Sequence, residues 1–271
     1  MARSKPRIAV HKFASCSGCQ LAFINMGEDL ITLSELVDIV HFVEAGPLAP
    51  EDRVDIAFIE GSVTTPEDVD RLHDIRANSR FLVTVGACAT TGGIQALRNN
   101  ADTDAWMQSV YAKPEYIETL ATSAAIANHV KVDFELWGCP VDVKQMLAAV
   151  RSLLFGVRPV DPNEKVCQDC KRKNNVCVLV TQQAACMGPV TRTGCGALCP
   201  SFGAPCYSCY GPSENPNTAS LGNRFEGFGL AADAVARRFA SINNAAPVFS
   251  DATKIWNEKH ERRIKLGEIE S

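Results

Sequence analysis

The chain has 271 residues, of which 46% are hydrophobic, and a formal net charge of −4. This length and apolar content allow one large domain, or a medium domain followed by a smaller one. The acidic balance argues against a general nucleic-acid binder, which would show a basic excess. No apolar run reaches about 18 residues, so we expect no membrane span.

The start of the chain and its cysteine content predict a cytoplasmic protein. Residues 1–10, MARSKPRIAV, contain neither the apolar core of a secretory signal nor a twin-arginine pair. A reducing cytosol keeps thiols from pairing. The twelve cysteines of the chain therefore indicate metal ligands rather than disulfides.

The first 156 residues alternate short apolar strands with helical patterns. A helix is predicted after Thr65, where Thr-Pro-Glu-Asp combines an N-cap with a proline and acids in the first turn. A second helix spans residues 141–155 and ends at Gly156. Strands are predicted at residues 7–13, 38–45, 55–60, 81–85 and 134–137. This alternation predicts a parallel sheet covered on both faces, with functional loops at the carboxyl ends of its strands.

The character of the sequence changes after residue 156. Residues 158–162, Arg-Pro-Val-Asp-Pro, are typical of a linker, and residues 167–221 are rich in Gly and Pro and lack long apolar periodicity. So short a segment needs an additional cross-link, such as a metal cluster, to fold stably. Helices are predicted at residues 225–243 and 254–265, the second one solvated.

Four cysteines follow strands of the predicted sheet. Cys16 and Cys19 come after the first strand, Cys88 after the fourth and Cys139 after the last. Strand-to-helix loops of a parallel sheet share one edge, so these thiols are expected to converge. Four converging thiolates suit a [4Fe–4S] cluster or a tetrahedral zinc ion, and nearby glycines let the backbone approach a bulky group. The alternative is that the cysteines act as small buried hydrophobes.

The other eight cysteines lie within residues 167–209. Their spacing is Cys167-x2-Cys170-x6-Cys177-x8-Cys186-x8-Cys195-x3-Cys199-x6-Cys206-x2-Cys209. Eight ligands make two sets of four, either sequential or interleaved as in two-cluster bacterial ferredoxins, and spacing alone does not decide between them. Zinc ribbons also use C-x2-C pairs. However, three sites in one chain form a series of redox centres more naturally than three structural zinc sites.

Six motifs follow one another along the chain: CSGC at 16–19, EGSV at 60–63, VGACATTGG at 85–93, GCP at 138–140, CMGPVTRTGC at 186–195 and CYSC at 206–209. This set resembles the small, electron-transferring subunit of [NiFe] hydrogenases. The related cluster subunit of respiratory complex I shares the fold of the first half but lacks the C-terminal cysteine segment. The resemblance implies an α/β fold, with a flavodoxin-like parallel sheet domain at residues 1–156 and a small, irregular iron–sulfur cluster domain at residues 157–271.

The resemblance assigns the twelve cysteines to three [4Fe–4S] clusters. The proximal cluster, nearest the nickel–iron centre of the large subunit, would be bound by Cys16, Cys19, Cys88 and Cys139. The distal cluster would be bound by Cys167, Cys170, Cys177 and Cys186, and the medial cluster by Cys195, Cys199, Cys206 and Cys209. Relatives usually have a histidine at the position of Cys167. Many have a proline at that of Cys199 and a medial [3Fe–4S] cluster. A fourth thiolate should lower the medial potential, which suits NAD(P)⁺ as acceptor.

The resemblance also implies that this chain is the electron-transfer subunit of a cytoplasmic hydrogenase and carries no catalytic residue of its own. The expected partners are the NiFe large subunit, a flavin- and NAD(P)-binding subunit and a further iron–sulfur subunit. The segment at residues 170–200 most resembles the delta subunit of NADP-linked sulfhydrogenases. The alternatives are a viologen- or heterodisulfide-linked hydrogenase and a zinc-binding assembly module. Glu60 is expected beside the proximal cluster, where it would order a loop or serve a proton path.

Overall fold

A computed structural model describes residues 5–49 and 53–267. The chain divides into two compact units, Met1–Asp161 and Pro162–Ser271. The sequence predicts a change of architecture after residue 156. The first unit contains a parallel sheet, and the elements described in the second unit are helices. Among the described helices, none combines the length and the apolar character that crossing a bilayer requires.

The sheet of the first unit has five parallel strands in the part of the chain that the structure describes. They are β1 (Arg7–Lys12), β2 (Asp38–Phe42), β3 (Val54–Glu60), β4 (Ser79–Val85) and β5 (Phe134–Leu136). The spatial order β2-β1-β3-β4-β5 is that of flavodoxin-like sheets and confirms the predicted α/β class. The second strand is shorter than predicted because a turn follows it, in which Ala45 N and Gly46 N both donate to Phe42 O.

The described residues of the first unit form six α-helices. They are α1 (Gly18–Ile24), α2 (Glu28–Leu36), α3 (Pro66–Asn78), α4 (Gly86–Thr91), α5 (Thr103–Val110) and α6 (Val143–Leu154). Helix α3 begins at the predicted cap: Thr65 Oγ1 accepts a hydrogen bond from Asp68 N, and Asp68 Oδ2 accepts one from Thr65 N, both at 3.1 Å. Asp142 caps α6 in the same manner, by accepting a bond from Gln145 N at 3.0 Å.

The sheet is buried on both faces, as the alternation of strands and helices predicts. Along β3, Ile56 and Phe58 belong to a core that also contains Phe23 of α1 and Met146 of α6. The intervening residues of β3 point to the opposite face and pack in a second core with Leu72 of α3. Both cores support the strand ends, so the carboxyl edge is held by packing from two sides.

In the second unit, six further α-helices are found among residues 162–267. They are α7 (Val166–Arg172), α8 (Val178–Thr181), α9 (Leu198–Ser201), α10 (Thr218–Glu226), α11 (Ala232–Phe239) and α12 (Pro247–Lys265). The core of the second unit joins α10, α11 and α12 through Phe225, Phe239, Phe249 and Trp256. Gly222 allows the contact with Trp256, since a Cβ there would lie 2.4 Å from the indole nitrogen.

Two helix predictions in this unit were wrong. The single helix expected at residues 225–243 is two helices, because the chain turns after Glu226, with Leu230 N donating to Phe225 O and Gly229 at a φ of 92°. The helix expected at residues 254–265 begins earlier, at Pro247. Its Trp256 is buried, so that helix is not solvated on all sides.

Two buried histidines stack on the α3 face of the sheet. His11 of β1 and His41 of β2 have ring centroids 4.6 Å apart, and they are only 4% and 5% exposed. Burial, followed by the neighbouring His41 and Arg71, lowers the pKa of His11 from 6.5 to about 3. Arg71 is fixed in this position by its donation to Lys12 O and by its stacking on the Phe13 ring.

His11 should make the stability of the fold depend on pH. Below pH 6.5 the unfolded chain binds a proton at His11 that the folded chain does not bind until about pH 3, so acidification favours unfolding. Between about pH 7 and pH 5 we expect the free energy of unfolding to fall by about 2 kcal/mol through this residue. Urea titrations of His11→Leu should lose that slope, whereas the exposed control His73→Gln should keep it. An unchanged slope in His11→Leu would contradict the assignment.

Candidate metal centre

Four cysteines lie at the carboxyl edge of the sheet. Cys16 and Cys19 flank the entrance to α1, where Ser17 takes a left-handed φ of 64° that turns the chain out of β1. Cys88 lies in the first turn of α4, directly after β4. Cys139 follows β5 by three residues. The strand order reverses direction between β1 and β3, which is the point of the sheet where flavodoxin-like folds bind their ligands.

The four thiols lie near enough to influence one another's protonation. Burial is the first cause that raises the pKa of Cys19, Cys88 and Cys139, and it brings that of Cys88 to about 11. The neighbouring thiols add to the effect: Cys88 and Cys139 act on Cys19, and Cys16 acts on Cys88 and Cys139. Thiols in such a site become thiolates most readily when a cation displaces their protons.

Glycines make room for these thiols. Gly86 has a φ of 83°, and a Cβ there would lie 2.4 Å from Cys19 Sγ. A Cβ at Gly93 would lie 2.8 Å from Cys88 Sγ. Ala87 N donates to Gly138 O at 2.7 Å, which ties the loop after β4 to the loop after β5. The backbone therefore approaches the sulfurs more closely than any other residue type would permit.

A buried carboxyl group lies beside the first of these helices. Glu60, at the end of β3, is 3% exposed, and its Oε1 accepts a hydrogen bond from Cys19 N at 2.9 Å. Its Oε2 has no hydrogen-bond partner among the described residues. Burial raises the pKa of this carboxyl group, although the bond from Cys19 N opposes the shift. The glutamate thus orders the chain at Cys19, next to the thiol.

Gln95 contacts a predicted ligand, although no sequence motif pointed to it. The Cys88 thiol donates to Gln95 Oε1 at 3.3 Å, and Gln95 Nε2 donates to Ala14 O at 2.8 Å. The residue lies in a 3₁₀ segment, Ile94–Asn100, that follows the Gly92-Gly93 turn. The only local signal was this glycine pair, which turns the chain back towards Cys88.

In the second unit, four cysteines line one cavity. Its volume is 130 Å³, and its sulfur-bearing walls are Cys167, Cys170, Cys177 and Cys186. The first two lie three positions apart on one face of α7, and Cys177 is the N-cap of α8. Burial raises the pKa of Cys167 to about 11, and the thiols of the other three add to the shift. These four cysteines follow one another in the chain, and their assignment to one cluster stays a prediction.

The remaining four cysteines occur as neighbouring thiols close to Cys186. Cys195 raises the pKa of Cys199, and Cys209 raises that of Cys206, in both cases after the larger effect of burial. Cys206 N donates to Cys186 Sγ at 3.2 Å, and Ser208 N donates to Cys206 Sγ at 3.4 Å. Backbone donors of this kind are those that stabilise a sulfur carrying negative charge.

The donor set fits iron–sulfur clusters. Thiols are the ligands that such clusters require, the glycines leave space at the sulfurs, and amide donors point at two of them. No three His, Cys, Asp or Glu side chains in residues 5–49 and 53–267 are arranged to hold a single metal ion.

Comparisons with known proteins agree on one family. Residues 16–153 match the family described as NADH ubiquinone oxidoreductase, 20 Kd subunit. Sulfhydrogenase 2 subunit delta of Pyrococcus furiosus is 32% identical over 79% of this chain and 90% of its own length. The chain belongs to the small subunits of hydrogenases.

Two further relatives extend the comparison of this small subunit. A subunit of the F420-non-reducing hydrogenase vhu of Methanocaldococcus jannaschii is 29% identical over 77% of this chain and 82% of its own length. A chain in the crystal structure of an NAD⁺-reducing [NiFe]-hydrogenase in the H2-reduced state is 30% identical, with a TM-score of 0.54, over 58% of this chain and 96% of that one. The α/β fold is therefore that of a hydrogenase small subunit.

Substitution of Gly86 should show how tightly the backbone packs against Cys19. Gly86→Ala and Gly27→Ala both place a side chain at positive φ, which costs about 1–2 kcal/mol, but only Gly86 faces a sulfur within 4 Å. We expect Gly86→Ala to lower the free energy of unfolding by about 1–3 kcal/mol more than Gly27→Ala. Urea unfolding measures both, and equal losses would contradict the close approach.

Proposed function

We propose that this hydrogenase small subunit relays electrons through three [4Fe–4S] clusters between a NiFe large subunit and an electron-accepting partner. The observation that carries the proposal is the grouping of its cysteines. One set converges at the carboxyl edge of the sheet, and a second set lines a single cavity. A relay needs sulfur sites that the fold holds in fixed positions.

In this proposal, each set of thiolates would hold one cluster, and bound clusters would supply one-electron transfer. The proximal set is Cys16, Cys19, Cys88 and Cys139; the distal set is Cys167, Cys170, Cys177 and Cys186; the medial set is Cys195, Cys199, Cys206 and Cys209. One cysteine of each set is buried, namely Cys19, Cys186 and Cys206, whereas Cys16, Cys139 and Cys177 are exposed. The protein also tunes the sulfurs: the amides of Cys206 and Ser208 favour added negative charge on Cys186 and Cys206.

The acceptor proposed is NAD(P)⁺, reached through a flavin-binding subunit and a further iron–sulfur subunit. The solved relative belongs to an NAD⁺-reducing hydrogenase, and Cys199 supplies a fourth medial thiolate that lowers the potential of that site. The similarity to the vhu hydrogenase favours a second candidate, a methanogen-type hydrogenase with another acceptor. We propose a cytoplasmic location, because a chain whose twelve cysteines serve as metal ligands suits a reducing compartment.

Metal content tests the proposal directly. The full chain, purified without oxygen together with its large subunit, should be brown and carry about twelve iron atoms for three cubane clusters. The alternative to an electron relay is a zinc-binding assembly module. A colourless chain with about three zinc atoms would establish that alternative and reject the relay.

Substitution of Cys199 tests the medial set. Cys199→Ala should leave three thiolates and convert the medial [4Fe–4S] cluster to [3Fe–4S], which gives an electron paramagnetic resonance signal in the oxidised protein. Leu198→Ala, at an exposed position of the same short helix, serves as the control and should leave the spectrum unchanged. If the oxidised Cys199→Ala variant has the wild-type spectrum, Cys199 is not a ligand and the assignment of cysteines to the medial cluster is wrong.

A further inference from the structure

The cysteine segment of the second unit has an unusual charge balance. The chain as a whole carries 31 acidic residues and a net charge of −4, yet residues 170–213 contain no Asp or Glu. The basic residues in this stretch are Lys171, Arg172, Lys173 and Arg192. Arg172 is paired with Glu164 and Asp169, at 2.6 and 3.2 Å. Lys171 and Lys173 remain as exposed cations, and Lys171 also lines the cavity of the distal thiols.

Large apolar side chains are exposed around the same cavity. Val176 is 68% exposed, Val180 67% and Phe202 83%. Val176 precedes the exposed Cys177 and lines the cavity, while Val180 lies one helical turn beyond it, with its N–H bonded to Cys177 O. An apolar patch of this kind with a charged rim is typical of a protein-binding surface.

A hydrogen bond places Phe202 in the same region. Asn175 Nδ2 donates to Ser201 Oγ at 3.0 Å, so the end of α9 lies beside the loop that carries Val176. Pro200 of α9 also lines the cavity. An aromatic side chain left in water next to a cavity is the kind of residue that dominates binding energy when a partner covers it.

We propose that Lys171, Lys173, Val176, Val180 and Phe202 form an exit surface that docks an electron-accepting protein with an acidic rim around an apolar centre. The inference rests on the proposed function, because it needs a cluster behind Cys177. The lysines would attract the acidic rim over a distance of about 10 Å. The apolar side chains would exclude water at the point where Cys177 reaches the surface.

The competing explanation assigns the lysines to the cluster alone, as counter-charges for its thiolates. That explanation gives Phe202 and Val180 no role, and it predicts that the lysines affect all acceptors equally. An acidic protein acceptor, a basic protein acceptor and a small neutral acceptor therefore separate the two explanations.

The experiment measures oxidation of the cluster-loaded, reduced full chain by stopped flow. Plastocyanin serves as the acidic acceptor, cytochrome c as the basic one and menadione as the small neutral one. With the unmodified chain, the plastocyanin rate should fall as salt is added, and the cytochrome c rate should not. A plastocyanin rate that is independent of salt, or that rises with it, overturns the exit surface without any variant having to fold.

Variants then locate the effect. The double variant Lys171→Glu/Lys173→Glu should lower the rate of oxidation by plastocyanin at low salt by about tenfold or more. Phe202→Asp should lower that rate at every salt concentration. In both variants the rate of oxidation by menadione should stay unchanged. Lys144→Glu/Lys254→Glu changes the net charge equally at exposed positions elsewhere and is the matched control. Equal losses in the two charge pairs, or equal losses with menadione, overturn the proposal. A chain that binds no iron contradicts the proposed relay. A chain that binds iron but fails the tests above contradicts only the exit surface.

Discussion

The structure of the first unit depends on one geometric constraint, which is that parallel strands end at the same edge of the sheet. Cys16, Cys88 and Cys139 are far apart in sequence, yet each follows a strand, and the strand order brings them together. Packing of apolar residues on both faces fixes the strand ends. The thiols are therefore positioned by the core of the unit rather than by contacts among themselves, which suits a site that must not rearrange when its charge changes.

The second unit also holds its cysteines in position, but with little regular secondary structure around them. Helices α10, α11 and α12 supply an apolar core, whereas the cysteine segment contributes short helical turns and loops. Val166, Val178 and Met187 connect that segment to the core and lie next to Cys167, Cys177 and Cys186 respectively. The loops are thus attached beside three of the four cysteines that line the cavity. In the proposed relay, cluster binding would supply the remaining cross-links, so folding of the segment and occupation of its sites would be coupled.

The sequence predicted the features that depend on hydrophobic periodicity and on capping residues at known positions. Strand alternation indicated the sheet and its edge, and the Thr-Pro-Glu-Asp cap indicated the start of α3. It did not predict the break between α10 and α11, where two glycines interrupt an otherwise helical pattern, nor the contact of Gln95 with Cys88. Such contacts depend on how a loop folds back in three dimensions. Spacing left the grouping of the eight later cysteines open, and only the cavity shared by four of them favours the sequential sets.

Charged side chains act on the thiols of both units, after the larger effect of burial. Glu60 adds to the raised pKa of Cys19 and Cys88, and Asp169 adds to that of Cys170, whereas Lys171 opposes the shift at Cys167. An added electron is also negative charge and responds to these groups in the same direction. In the proposed relay, Glu60 would therefore weaken the binding of an electron at the set on the sheet edge, whereas Lys171 and Asp169 would act in opposite directions at the set that lines the cavity.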